Sequence, residues 1–251
     1  MSNLEVLQKS PLADVSSVPI QAAEKVLDWG KTLIVAPHPD DESLGCGGAI
    51  ALLRKFKRKV KVLVLSDGTL SHPNSVKFPL KKLRELREME MLHALEILGV
   101  PAEEVTFFRY RDRSVPNTNS ENWLEAVGKC RAYLRKNQPE TILVPWRRDP
   151  HPDHRAAYSL IKSACKNSDR IIEYPIWLWE IAESVDAPRF DEVFAWRLDI
   201  SRAIEKKQRA ISAHASQTTD LIDDDSQGFR LTEDILANFA GNYEFFLEEK
   251  R

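Results

Sequence analysis

Short apolar segments that alternate with longer amphipathic ones constrain the fold of this chain more than any other feature. TLIVA (32–36), VKVLVLS (60–66) and TILVP (141–145) are nearly continuous apolar runs, and each precedes a stretch of helical periodicity. Such runs are typical of strands that a parallel sheet buries on both faces. The repeated strand–helix units predict an α/β fold, Rossmann-like, with three α/β/α layers and a mostly parallel central sheet.

The 251 residues suit one large domain or two small ones, at about 100 to 200 residues per domain. We expect a polar N-terminal arm at 1–30 and a single domain at 31–251, in which a smaller C-terminal portion, 193–251, completes the pocket. Within that portion, residues 193–200 favour a strand, residues 201–215 a helix and residues 234–249 a terminal helix.

Charge and cysteine usage exclude several classes of protein. Thirty-six Lys and Arg against 38 Asp and Glu give a net charge of −2, which removes the electrostatic basis for a nucleic-acid partner. Three scattered cysteines, Cys46, Cys130 and Cys165, predict neither a disulfide framework nor a CxxC zinc pattern. No leader pattern or membrane-length apolar run is visible. We expect a cytoplasmic protein without an integral membrane segment, and the sequence leaves a homo-oligomer open.

Two segments that follow predicted strands carry histidine and aspartate together. PHPDDE (37–42) follows the first strand, and RRDPHPDH (147–154) follows TILVP. In open parallel sheets, ligands bind outside the carboxyl ends of the strands. Helix capping explains one or two of the acids. Three successive carboxylates repel each other unless a cation lies among them, so the segments predict a metal site.

We predict that His38, Asp41 and His154 are the metal ligands. His38 and Asp41 are three residues apart in a proline-braced loop, and His154 comes from another strand end. Two nitrogens and one carboxylate oxygen leave a coordination position for water, which is typical of catalytic rather than structural zinc.

Three further residues of the two segments have predicted catalytic roles. Asp40, next to a ligand, is the predicted general base. His151 is predicted to stabilise an oxyanion and protonate a leaving amine, and Asp153 to hold its ring and raise its pKa. Together the residues predict metal-assisted amide hydrolysis.

These motifs resemble the LmbE-like, or PIG-L-type, de-N-acetylases, which are zinc enzymes that remove acetyl from N-acetylglucosamine-containing compounds. The resemblance covers about residues 31–217 and includes Arg87, Glu90 and the segment KQRAISAHASQ (207–217). It implies the ligand and catalytic roles given above, with Zn²⁺ as cofactor and a small N-acetylated sugar as partner. It also implies that Arg87 and His214 contact substrate.

The loop after the second strand departs from the usual pattern of that family. It reads Ser66-Asp67-Gly68-Thr69 and continues to His72. Because it should border the pocket, we expect Asp67 to bind a sugar hydroxyl and His72 to lie at the rim. Tyr174, Trp177 and Trp179 form an aromatic cluster that suits either a sugar-stacking surface or packing in a core or interface.

Several alternatives stay open. One alternative is an amidase that acts on another sugar-linked amide. Another is a non-haem iron enzyme, since two histidines and one carboxylate also form the facial triad of the non-haem iron oxygenases, and Fe²⁺ is the alternative metal ion. A non-catalytic glycan-binding protein is a third reading. A nucleotide-binding module is a fourth, suggested only by Gly45-Cys46-Gly47-Gly48, and close helix packing explains those glycines as well.

Overall fold

The structure is a computed structural model that describes residues 10–166 and 169–250. Eight strands are present in the described residues: β1 (Ile20–Gln21), β2 (Thr32–Ala36), β3 (Val60–Ser66), β4 (Val105–Tyr110), β5 (Thr141–Pro145), β6 (Arg170–Tyr174), β7 (Val193–Asp199) and β8 (Tyr243–Glu249). The α-helices are α1 (Asp41–Lys55), α2 (Leu80–Leu98), α3 (Trp123–Asn137), α4 (Pro152–Ala164), α5 (Ile204–Ala213), α6 (Ala215–Thr218) and α7 (Glu233–Ala237). Short 3₁₀ helices span Ala23–Trp29, Ala102–Glu104 and Trp177–Trp179.

All eight strands belong to one sheet with the order β1-β7-β8-β6-β5-β2-β3-β4. Every neighbouring pair is parallel except the two that involve β8, which runs antiparallel to β6 and β7. Helices α1, α2 and α5 cover one face, while α3 and α4 cover the other. The predicted α/β fold with a mostly parallel, three-layered sheet is therefore confirmed.

The predicted terminal helix at 234–249 is wrong. Only Glu233–Ala237 is helical, and Tyr243–Glu249 is strand β8. Phe246 lies in the core under α1, whereas Leu247 lies in a separate cluster on the opposite face. β8 fills the position between β6 and β7 and is apolar on both faces there, so its sequence lacks the period-two alternation that identifies a half-buried strand.

The N-terminal segment packs on the sheet from residue 10 onward. β1 pairs with β7, Leu12 and Val18 are buried in the cluster around Trp146, and Trp29 packs against Phe246. Residues 1–9 of the proposed arm lie outside the described part of the chain, and the division at residue 30 stays a prediction. Among the described residues, no helix combines the length and apolarity needed to span a membrane.

Candidate active site

The predicted residues of the two motifs meet at the carboxyl edge of the sheet. β2 and β5 are neighbours, so the loops that follow them lie side by side. The ring centroid of His38 is 5.4 Å from that of His154 and 4.6 Å from that of His151. His38, Asp41 and His154 are buried, and His151 is partly exposed. These four residues are called the His–Asp cluster below.

Asp41 lies between the two histidines with which it is predicted to share a metal ion. Its Oδ2 is 3.3 Å from Nδ1 of His38 and 3.2 Å from Nε2 of His154. Burial acts to raise the pKa of Asp41, but His154 and His38 outweigh it and lower the pKa below its usual range. An ionised carboxylate and two imidazoles directed at one another are a suitable ligand set for a divalent transition metal.

His154 provides a direct test of whether the residues fit a metal ion. It is fully buried, and neither ring nitrogen makes a hydrogen bond of acceptable geometry, although carboxylates lie close to both. An unsatisfied buried polar group is unfavourable, and a bound cation at Nε2 would remove the penalty. Ligand-type atoms also lie within 4.8 Å of one another in two further groupings, His38 with His151 and His154, and His38 with Asp112 and Asp153. The residues present therefore fit a metal ion.

Asp149 and Asp112 belong to the site, although no role was predicted for them from the sequence. Oδ1 of Asp149 lies 3.1 Å from Nδ1 of His154, the ring nitrogen remote from Asp41. Asp112 Oδ1 lies 3.4 Å from Nε2 of His38. Carboxylates in these positions orient histidines that bind metals. Asp112 lies in the loop that directly follows β4, so its place after a strand was a usable signal.

The Asp153 carboxylate does not hold the His151 ring, contrary to the sequence-based expectation. Its oxygens instead accept the backbone N–H groups of Arg113 and Val115, and Oδ2 lies 3.1 Å from Nε2 of His38. Only the backbone N–H of Asp153 contacts His151, donating to Nδ1 at 3.2 Å. Asp153 thus supports His38, because the first turn of α4 directs its side chain toward the loop after β4.

The expected rise in the pKa of His151 is also wrong. Burial, together with the nearby charges of His38 and His154, lowers the pKa of His151 to about 2. A lowered pKa favours the neutral form of the ring. Since Nδ1 accepts a hydrogen bond from a backbone N–H, the proton of the neutral ring lies on Nε2.

Asp40 precedes the first turn of α1 in an unusual backbone conformation. Its φ of 134° is a strained value for a residue with a side chain. Oδ2 accepts a hydrogen bond from Nη2 of Arg87 at 3.1 Å. Burial raises the pKa of Asp40 to about 6, and the charge of Arg87 opposes that rise. A carboxylate that titrates near neutrality suits a general base.

Arg87 is buried against the protein itself. Besides Asp40, its guanidinium donates to the carbonyl oxygens of Pro39 and Gly68, both at 2.7 Å. Gly68 has a φ of +64°, and a Cβ there would come within 2.6 Å of the guanidinium. The predicted contact of Arg87 with substrate is untested, whereas its contact with Asp40 is direct.

Asp67 and His214 also make internal contacts. Asp67 Oδ1 accepts hydrogen bonds from the hydroxyl of Thr69 and the backbone N–H of Asp112. His214 is buried, with Nε2 3.3 Å from Oε1 of Glu42. Their predicted substrate contacts stay predictions. His72 is buried rather than at an open rim, and its ring packs on residue 228.

The glycine segment of α1 packs closely, which disfavours the nucleotide-binding alternative. A Cβ at Gly45 would come within 2.3 Å of Tyr174, and one at Gly48 within 2.6 Å of Ile200. The backbone N–H groups of Gly48 and Ala49 donate to the buried carboxylate of Glu244. A phosphate therefore finds no free amides there.

The aromatic cluster separates into different environments. Tyr174 is fully buried and donates its hydroxyl to the carbonyl of Val35 at 2.7 Å. Trp179 packs edge-on against Phe245. Trp177 and Trp179 are both partly exposed, and Trp177 contacts Phe229.

An α/β fold with a buried His–Asp cluster at the carboxyl edge of its sheet is typical of a hydrolase that uses a metal ion. Residues 33–165 match the PIG-L family, described as GlcNAc-PI de-N-acetylase. The chain belongs to this family, a family of metal-dependent deacetylases, which confirms the resemblance seen in the sequence.

Three comparisons illustrate the relationship. The chain is 30% identical to the diacetylchitobiose deacetylase of Thermococcus kodakarensis, covering 81% of this chain and 76% of the relative. It is 24% identical to the 1D-myo-inositol 2-acetamido-2-deoxy-alpha-D-glucopyranoside deacetylase of Mycobacteroides abscessus, over 86% and 91% of the two chains. The N,N'-diacetylchitobiose deacetylase structure from Pyrococcus horikoshii superposes with a TM-score of 0.63 at 22% identity, covering 96% and 91%. Its identity is low, so this last likeness supports the fold alone.

Proposed function

We propose that this protein is a cytoplasmic, zinc-dependent hydrolase that removes the acetyl group from an N-acetylglucosamine-type sugar derivative. The observation that carries the proposal is the position of Asp41 Oδ2, which lies within 3.3 Å of a ring nitrogen of both His38 and His154. The names of the relatives support an N-acetylated amino sugar as the substrate class.

His38, Asp41 and His154 would hold the ion, and Asp149 would orient His154 behind it. A bound zinc ion polarises a carbonyl oxygen and lowers the pKa of water toward about 7. The chain itself supplies the groups that move protons.

Asp40 is placed to take the proton of the attacking water. Its carboxylate is buried and fixed by Arg87, so it is held in one orientation next to the ligand Asp41. As the carbon–nitrogen bond breaks, the same carboxyl group can deliver that proton to the nitrogen, so that a neutral amine departs. The products are the free amino sugar and acetate.

His151 is suited to donate a hydrogen bond rather than a full proton. Its Nδ1 accepts from the backbone, which leaves Nε2–H to point at the carbonyl oxygen as negative charge develops there. This revises the predicted acid role of His151 and keeps its predicted role with the oxyanion.

Acetate release from N,N'-diacetylchitobiose and other N-acetylated amino sugars, measured on zinc-loaded protein, tests the proposal. Asp40→Asn is expected to retain zinc and to lower kcat by about 10²- to 10⁴-fold, the usual contribution of a general base. Unchanged turnover in Asp40→Asn would overturn the assigned base. Release of a different acid from a sugar-linked amide, or turnover only with iron and oxygen, would favour the alternatives.

A further inference from the structure

The carboxylate of Asp149 links the backbone of Trp177 to the His–Asp cluster. The backbone N–H of Trp177 donates to Oδ2 of Asp149 at 3.0 Å, and Oδ1 of the same carboxylate accepts a hydrogen bond from the backbone N–H of His151 at 3.1 Å. His151 is the partly exposed member of the cluster. The side chain of Trp177, itself partly exposed, therefore starts close to the side from which the cluster reaches solvent.

Two loops near the site are fastened together by acidic side chains. Residues 71–77 and 223–229 are called the clasp below. Asp224 accepts the backbone N–H groups of Val76 and Lys77, both at 2.8 Å, and Asp225 accepts that of Asn74 at 2.8 Å. Such carboxylate–amide hydrogen bonds fix the loop after β3 to a segment far along the chain.

The clasp holds Phe229 in a defined position. The N–H of Phe229 donates to the carbonyl of Ser71 at 2.6 Å. The preceding residue, Gly228, lies against the His72 ring, and a Cβ there would come within 2.2 Å of it. The Phe229 ring meets Trp177 edge-on, with centroids 5.6 Å apart and planes at 70°.

The order of the strands places the contact between Trp177 and Phe229 beside the region of the His–Asp cluster. β5 and β2 lie between β6 and β3 in the sheet. Trp177 belongs to the segment after β6, and Phe229 is bound to the loop after β3. Their contact therefore joins the two sides of the region in which the loops after β5 and β2 present the His–Asp cluster. Both rings are only partly buried.

We propose that Trp177 and Phe229 form an aromatic wall that packs against the apolar face of the substrate's sugar ring. Flat aromatic faces bury the C–H face of a pyranose well, whereas an acyclic amide offers no matching surface. The wall thus selects saccharides over simple acetamides, and the clasp is the positioning element that sets its angle. This inference rests on the proposed deacetylase function.

The test compares N,N'-diacetylchitobiose with N-acetylethanolamine as substrates of zinc-loaded protein. Phe229→Leu and Trp177→Leu are expected to raise KM for the disaccharide about three- to tenfold, with kcat changed by less than about twofold. Turnover of N-acetylethanolamine should not change in either variant. Trp177→Phe should retain most of the affinity for the disaccharide, and it replaces Trp177→Leu if that variant fails to fold.

Phe108→Leu is the matched control. Phe108 is also partly buried and meets Tyr133 edge-on, with centroids 5.9 Å apart, on the opposite face of the sheet. The proposal of an aromatic wall would be contradicted if KM changed no more in Phe229→Leu than in Phe108→Leu. It would also be contradicted if KM changed equally for both substrates.

A binding measurement tests the aromatic wall independently of the proposed deacetylase function. If the native protein releases acetate neither from these two substrates nor from the other N-acetylated amino sugars, the deacetylase function fails. The wall is then tested by titrating zinc-free protein with N,N'-diacetylchitobiose and following tryptophan fluorescence. Weaker binding in Phe229→Leu than in Phe108→Leu supports the wall, and equal binding contradicts it.

Discussion

At the scale of single residues, Asp40 and Arg87 form the contact on which the proposed chemistry depends most. Burial raises the pKa of Asp40 to about 6, and Arg87 opposes the rise. A base acts in its ionised form, so the rate should fall as the pH decreases through about 6. A bound cation lowers the pKa of a neighbouring carboxylate, so in the metal-loaded enzyme the decline lies at or below that pH.

Arg87→Met should therefore move the acid limb of kcat/KM to higher pH. Removing the guanidinium removes the charge that favours ionised Asp40, so the pKa of Asp40 rises and the base is protonated at higher pH. Arg87→Lys keeps the charge and should restore part of the shift. The pH profile of acetate release checks this, and an unmoved limb together with a raised KM would instead support the predicted substrate contact.

The sequence predicted which residues form the site better than it predicted which of them contact one another. Strand ends followed by histidine and aspartate identified the loops that meet, because parallel strands place their carboxyl ends at one edge. The partner of Asp153 was not predictable in this way. It depends on how the loop after β4 passes α4, where the backbone N–H groups of Arg113 and Val115 face its carboxylate.

At the scale of elements, the first turns of α1 position both the base and a ligand. Asp40 precedes the helix and Asp41 begins it, so a shift of α1 moves both together. Close approach of α1 to the sheet is possible because Gly45 has no side chain. Tyr174 occupies the space that a Cβ would need, and its hydroxyl is fixed to the carbonyl of Val35.

Gly45→Ala should destabilise the fold, whereas Gly128→Ala should not. Forcing a methyl group against the fixed Tyr174 ring should lower the free energy of unfolding by about 1–3 kcal/mol. Gly128 lies within α3 with open space around it, so alanine there should raise the free energy by up to about 1 kcal/mol through helix propensity. Urea unfolding of both variants measures the difference, and equal stabilities would contradict the packing of α1.

The elements that the sequence predicted correctly are those with strong local signals. Gly99 ends α2 with a φ of +92°, and a glycine with a proline two residues later is a strong local signal for the end of a helix. β8 lacked such a signal, because its pairing partners β6 and β7 are distant along the chain. Its strand conformation follows from the space between those two strands, which only the assembled sheet defines.

At the scale of the whole molecule, one sheet carries both the site and the segments that surround it. The central parallel strands β2 and β5 present the His–Asp cluster, and the residues after β7 return to the site through His214 and the clasp. His214 contacts Glu42 in the first turn of α1, and Ser216 donates its N–H to Glu90 of α2 at 2.7 Å. Remote parts of the chain thus fix the helix that holds Asp41.

Equilibrium zinc titration of the native protein, His38→Ala and His154→Ala tests most directly whether two separate loops share one ion. We predict one zinc ion per native chain and binding at least about 100-fold weaker in each variant, because each removes one of three protein ligands. Asn119→Ala, at an exposed position beyond Asp112 in the loop after β4, is the control and should bind zinc as the native protein does. A native chain that binds no zinc, or zinc affinity unchanged by loss of either histidine, would contradict the shared site.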